Sequence, residues 1–129
     1  MNIVPVDKHD LESCLALSRA TDAQVIASLD ELLGWTADAN WPPARYVYDR
    51  LKSLGDELVS PIRDILAGAD DTWKYFLIVN LLPEVRESVF SQLESELLRI
   101  VSNPTDSEKL EEVLLEAKAL LIERQNSSR

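Results

Sequence analysis

An aspartate stands three residues ahead of a tryptophan twice in this chain, in Asp38-Ala39-Asn40-Trp41 and in Asp70-Asp71-Thr72-Trp73. Each follows an aliphatic pair, Leu32-Leu33 and Ile65-Leu66, and each precedes a helix-like run. Recurrence after about thirty residues is the period of stacked helical hairpins, none of which buries its apolar face alone. The chain is therefore expected to be a short array of helical hairpins, an architecture that names neither a reaction nor a partner.

Apolar residues recurring at three and four place amphipathic helices at residues 9–19, 22–33, 42–54, 57–67, 71–82, 86–102 and 106–124. The run from Trp73 to Leu82 is apolar on every side, and is expected to be a central helix covered all round. Thr21 with Gln24 and Thr105 with Glu108 have capping-box spacing, and Asp70 or Asp71 can cap the helix at Trp73. Asn40 is expected to cap the helix that Pro42 and Pro43 open. Gly34, Gly55 and Gly68 fall where helices would end, and are expected to supply left-handed closing residues. Pro61 is the awkward residue, because a helix beginning at Glu57 would be kinked by it. Scarce glycine and the absence of alternating strand patterns leave an all-α fold.

With 129 residues and 46% apolar content, a single domain over residues 1–129 can bury a core, with 125–129 as a frayed tail. Twenty-three carboxylates against thirteen basic residues leave a formal charge of −10, which repels nucleic acid and anionic membranes and favours basic proteins. Cys14 is the only cysteine, which fits a reducing compartment. The first ten residues carry Asp7 and Asp10 in place of an apolar leader core, so a cytoplasmic location is expected.

The segment Gly55-x-x-Leu58-Val59-x-Pro61-Ile62-x-x-Ile65-Leu66 is similar to the first helix of HEAT-like repeats. Trp35-x-x-Asp38-x-Asn40-Trp41-Pro42, Asp70-x-x-Trp73-Lys74-Tyr75 and Pro104-Thr105-x-x-Glu108 together resemble an uncharacterised bacterial domain-of-unknown-function family, DUF5071, from about Thr21 to Ile122. The resemblance implies a HEAT-like stack of antiparallel hairpins, an α-α superhelix, with no assigned enzyme activity. Residues 1–20 lie outside it.

No metal, cofactor or catalytic residue is expected. His9 and Cys14 are each alone, and no serine sits in a glycine-flanked nucleophile turn. Trp41 and Trp73, at matching repeat positions, read as packing residues, whereas Trp35 follows a glycine in a loop and can face a partner. Arg45 and Tyr46 are of the types enriched in binding hot spots, and Glu108, Glu111, Glu112 and Glu116 form an acidic stripe. The candidate partner-binding residues are Trp35, Asp38, Arg45, Tyr46, Glu108 and Glu112. The expected role is a non-catalytic protein-interaction module, in one version an immunity protein masking a basic bacterial toxin. The alternative is an enzyme or small-ligand binder with a pocket of Trp35, Trp41, Trp73 and neighbouring carboxylates.

Overall fold

The computed structural model describes residues 2–127, and among them the chain is all-helical, without strands. The helices are α1 (Leu11–Arg19), α2 (Asp22–Ala27), α3 (Leu29–Gly34), α4 (Pro42–Leu51), α5 (Val59–Ala67), α6 (Asp71–Asn80), α7 (Glu87–Ser102), α8 (Asp106–Leu110) and α9 (Val113–Ser127). Single 3-10 turns at Trp35–Ala37 and Asp56–Leu58 precede the links to α4 and α5. Of the expected tail, Gln125 and Asn126 continue α9, while residues 128 and 129 lie outside the described part.

Two of the expected helices are broken. The first is interrupted at Ser28, which leaves helical geometry at φ −117° and ψ 20°. Periodicity could not show this, because Val25, Leu29 and Leu32 keep one buried stripe across the break. The second breaks at Glu111 and Glu112, where Glu112 takes a left-handed φ of 64°. Here the cause is visible: Glu108 points inward and is fully buried. A residue two positions further along a helix lies about 200° away, which turns Leu110 outward and leaves it 82% exposed. The turn at Glu112 then re-aims the chain so that Val113, Ala117 and Leu120 reach the core.

The glycine expectation is also corrected. No glycine has a positive φ. Gly34 is an ordinary helical residue at φ −56°. Gly68 is instead a close-approach position, where a Cβ would sit 3.2 Å from the Asp64 carbonyl oxygen and 3.3 Å from that of Ile65. Pro61 causes no kink, because α5 begins at Val59 and its proline lies in the first turn, where no intrahelical donor is needed.

The core runs between packed helix pairs: α9 lies against α7 and α6, α5 against α7, and α1 against α4. Leu77, Ile78 and Leu81 are buried as expected. The all-round cover of their helix is incomplete, since Val79 is 39% exposed. Asn80 donates to the Phe76 carbonyl on its own helix.

Candidate functional site

The two Asp-x-x-Trp turns build different things. In the second, the Asp70 carboxylate accepts the Trp73 amide at 3.0 Å and caps α6. The half-buried Trp73 indole donates to the Thr36 hydroxyl at 2.7 Å. Thr36 is fully buried, donates to the Leu33 carbonyl at 2.6 Å, and its own carbonyl accepts the Tyr48 phenol at 2.7 Å. One threonine thus ties the end of α3 to α4 and α6. Burial, reinforced by the Asp38 charge, pushes the Tyr48 phenol far above its ordinary pKa and keeps it a donor.

In the first turn, Asp38 accepts the Asn40 amide at 2.8 Å and braces the loop without capping a helix. Asn40 does not cap α4 either. The cap position is Trp41 itself, extended at φ −70° and ψ 128°. A residue before proline is barred from the helical region, so Pro42 fixes this conformation. The exposures expected of Trp35 and Trp41 are therefore exchanged, while Trp73 packs as expected. Trp41 is 38% exposed, whereas Trp35 is half-buried against the core and its indole donates to the Pro5 carbonyl at 3.1 Å. The two rings meet edge to face, with centroids 5.6 Å apart.

The Trp35 bond pins the N-terminal segment, and Asp10 holds its end by accepting the Ser13 and Val6 amides, both at 3.0 Å. A hydrogen bond from the Ser13 side chain, followed by the Val6 and Ser13 amides, lowers the Asp10 pKa. Between this segment and the start of α4 lies a cleft of about 510 Å³. Leu11, Trp41, Pro42 and Tyr46 supply its apolar lining, with Lys8, His9 and Arg45 among its polar residues. The Arg45 guanidinium lies over the Tyr46 ring, 5.3 Å from its centroid. Neither Lys8 nor Arg45 has an ion pair among the described residues.

Cys14 lines the cleft but is only 1% exposed, and burial, then the Asp10 charge, raises its thiol pKa, which disfavours the nucleophilic thiolate. Among the described residues no group of three or more His, Cys, Asp or Glu side chains could hold a metal ion. Trp41 lines this cleft, whereas the Trp35 and Trp73 indoles donate to the Pro5 carbonyl and the Thr36 hydroxyl and are not among its lining residues.

Glu108 must be withdrawn from the partner-binding set. It closes the capping box with Thr105, accepts Arg99 through both oxygens at 2.6 and 3.0 Å, and accepts the Lys74 ammonium at 3.1 Å. Lys74, itself 2% exposed, is also paired with the buried Asp71 at 2.7 Å, without hydrogen-bond alignment. Desolvation alone would raise the Glu108 pKa, but Arg99, the Thr105 amide and Lys74 outweigh it and hold the carboxyl down at about 2. The expected acidic stripe is thus split, with Glu108 inside and Glu111 and Glu112 outside. Glu112 lines a separate shallow cleft with Leu110, Tyr75 and Phe76.

Of the six expected residues, the structure brings Arg45 and Tyr46 together, sets Trp35 behind Trp41, keeps Asp38 in the adjoining turn, and places Glu112 in another cleft. Sequence reasoning missed Trp41 as a surface residue, although the proline after it was the signal. It also missed Leu11 and His9, whose wall is set against α4 by the packing of α1 and by the hydrogen bond between Trp35 and Pro5.

No curated protein matches the chain. A family model described as Domain of unknown function (DUF5071) matches residues 3–121, taking in the N-terminal wall of the cleft and the helices from α1 into α9, and the chain belongs to that family.

Proposed function

We propose that this chain is a non-catalytic protein-interaction module, a HEAT-like helical stack that docks its partner at the cleft between the N-terminal segment and α4. One observation carries the reading. Trp41 at 38% exposure and Leu11 at 53% stand open beside an unpaired arginine that is stacked on a tyrosine. Aromatic and arginine side chains around an apolar centre are the anchors that dominate protein interfaces. The row of α5, α7 and α9 supports the HEAT-like element of the proposal.

The formal charge of −10 supports a cytoplasmic immunity protein that masks a basic toxin, because opposite charge speeds encounter. The same charge disfavours nucleic acid and anionic membranes as partners. No helix among the described residues is long and apolar enough to cross a membrane. A small-ligand role is the second reading, favoured by a cleft of about 510 Å³, within the range of small-molecule sites.

The test is co-expression with the product of the adjacent gene. The expected result is a stable complex, relief of any toxicity, and loss of both with Trp41→Ala but not with Glu123→Lys on α9. A complex indifferent to Trp41→Ala would overturn the docking site, and turnover of a small substrate by the purified chain would overturn the non-catalytic reading.

A further inference from the structure

We infer that the cleft beside Trp41 recognises a partner segment carrying a carboxylate next to an aromatic or other apolar side chain, a preference opposite to the one the whole-chain charge implies. The inference rests on the docking reading and specifies its chemistry. It follows from how charge is distributed among the clefts. The cleft between the α2–α3 break and α5 is lined by Asp30, Glu31, Glu57 and Asp64, with no cation. The one holding Glu111 and Glu112 has no cation either. At Trp41 the balance reverses, with Lys8 and Arg45 against Asp10 alone.

Asp10 is not available to a basic ligand on equal terms, because its two oxygens already accept the Ser13 and Val6 amides. The cations are differently placed. Arg45 is exposed and rests on the face of Tyr46, which leaves the edge of its guanidinium plane for the paired hydrogen bonds that a carboxylate accepts. The start of α4 cannot take over this role with backbone amides, since its first two residues are Pro42 and Pro43. Selectivity for a carboxylate therefore falls to side chains, while Trp41, Leu11 and Pro42 take the apolar neighbour. Whole-chain charge acts on approach over about a Debye length, and the cleft acts at contact, so an otherwise basic partner can present such a segment.

The experiment selects a random-peptide display library against the intact chain, then measures the enriched peptides by titration calorimetry. Enriched sequences are expected to pair Asp or Glu with an aromatic or aliphatic residue. Arg45→Glu should weaken them by at least about tenfold and Arg45→Lys by less, and replacing the peptide carboxylate by its amide should also weaken them, by less than Arg45→Glu, which adds like-charge repulsion. Arg45 makes no ion pair among the described residues, so its variants should melt close to the parent, as circular dichroism would verify. Enriched peptides that are basic or uncharged yet lost with Trp41→Ala would overturn the carboxylate preference and leave the docking reading standing. Peptides indifferent to Trp41→Ala, or no enrichment at all, would overturn both.

Discussion

The turn at Asp38 and the turn at Asp70 share a spacing and part ways in three dimensions. At Asp70 the aspartate caps the helix and the tryptophan falls in its first turn, where the ring reaches Thr36. At Asp38 the helix starts only four residues after the aspartate, at Pro42, and the tryptophan becomes the cap residue with its ring at the surface. The proline after the first tryptophan disfavours helical geometry at that residue, which accords with its place outside the helix and its exposure. Repetition in sequence thus marks where hairpins join, while the residue after each tryptophan decides what that tryptophan does.

The largest expected effect lies in the second turn's own surroundings. Lys74→Ala should destabilise the protein by about 3–5 kcal/mol in urea unfolding, because it strips the partner from Asp71 and one from Glu108 inside the core. A Lys74→Ala protein as stable as the parent would show that the network is hydrated and that Glu108 is not locked inward.

The same network predicts acid sensitivity. The Glu108 pKa is depressed from 4.5 to about 2 in the folded chain, so its contribution is fully present above about 4.5 and is lost as pH falls toward about 2. Urea midpoints measured between those limits should fall for the parent and change less for Glu108→Gln, itself a weaker protein.

Next comes the direct contrast. Trp73→Ala should cost about 3 kcal/mol, as expected for a packed aromatic whose hydrogen-bond partner is left behind. Trp41→Ala should cost about 1–2 kcal/mol, since part of its ring never leaves water. Equal costs would restore the equivalence of the two turns and remove the reason to place a docking site at the first.

Replacing both prolines, Pro42→Ala with Pro43→Ala, is the sharper form of the comparison. Freed of the restriction, α4 should extend back to an Asp38 cap, adding helical signal in circular dichroism and shifting the tryptophan emission as Trp41 enters the first turn. Unchanged spectra would mean that the Trp35 contact, rather than the prolines, holds Trp41 outside.

The smallest effect is expected at Glu112. Its left-handed φ of 64° is strained for a residue with a side chain, so Glu112→Gly should raise stability by up to about 1 kcal/mol in thermal unfolding. Destabilisation instead would show that its side chain makes a contact stronger than the strain.

The Asn40 cap and the left-handed glycine ends expected from the sequence do not form, but much that is local was legible in it. The helical class, both capping boxes, the Asp70 cap and the buried Leu77, Ile78 and Leu81 are all of this kind, since hydrogen bonds to the next turn and a period of 3.6 residues act at short range. Even the surface role of Trp41 was written in the proline that follows it. The tertiary structure alone decided the rest. The capping box fixed where Glu108 turns locally, but not that Lys74 and Arg99 would meet it from other helices and draw it out of the acidic surface. Arg45 and Tyr46 were readable only as candidates by residue type, and the cleft they line needs a second wall, set by the packing of α1 on α4 and by a hydrogen bond between Pro5 and Trp35 across 30 positions of chain. Burial and concavity belong to groups distant in sequence, and no local pattern encodes which of them will meet.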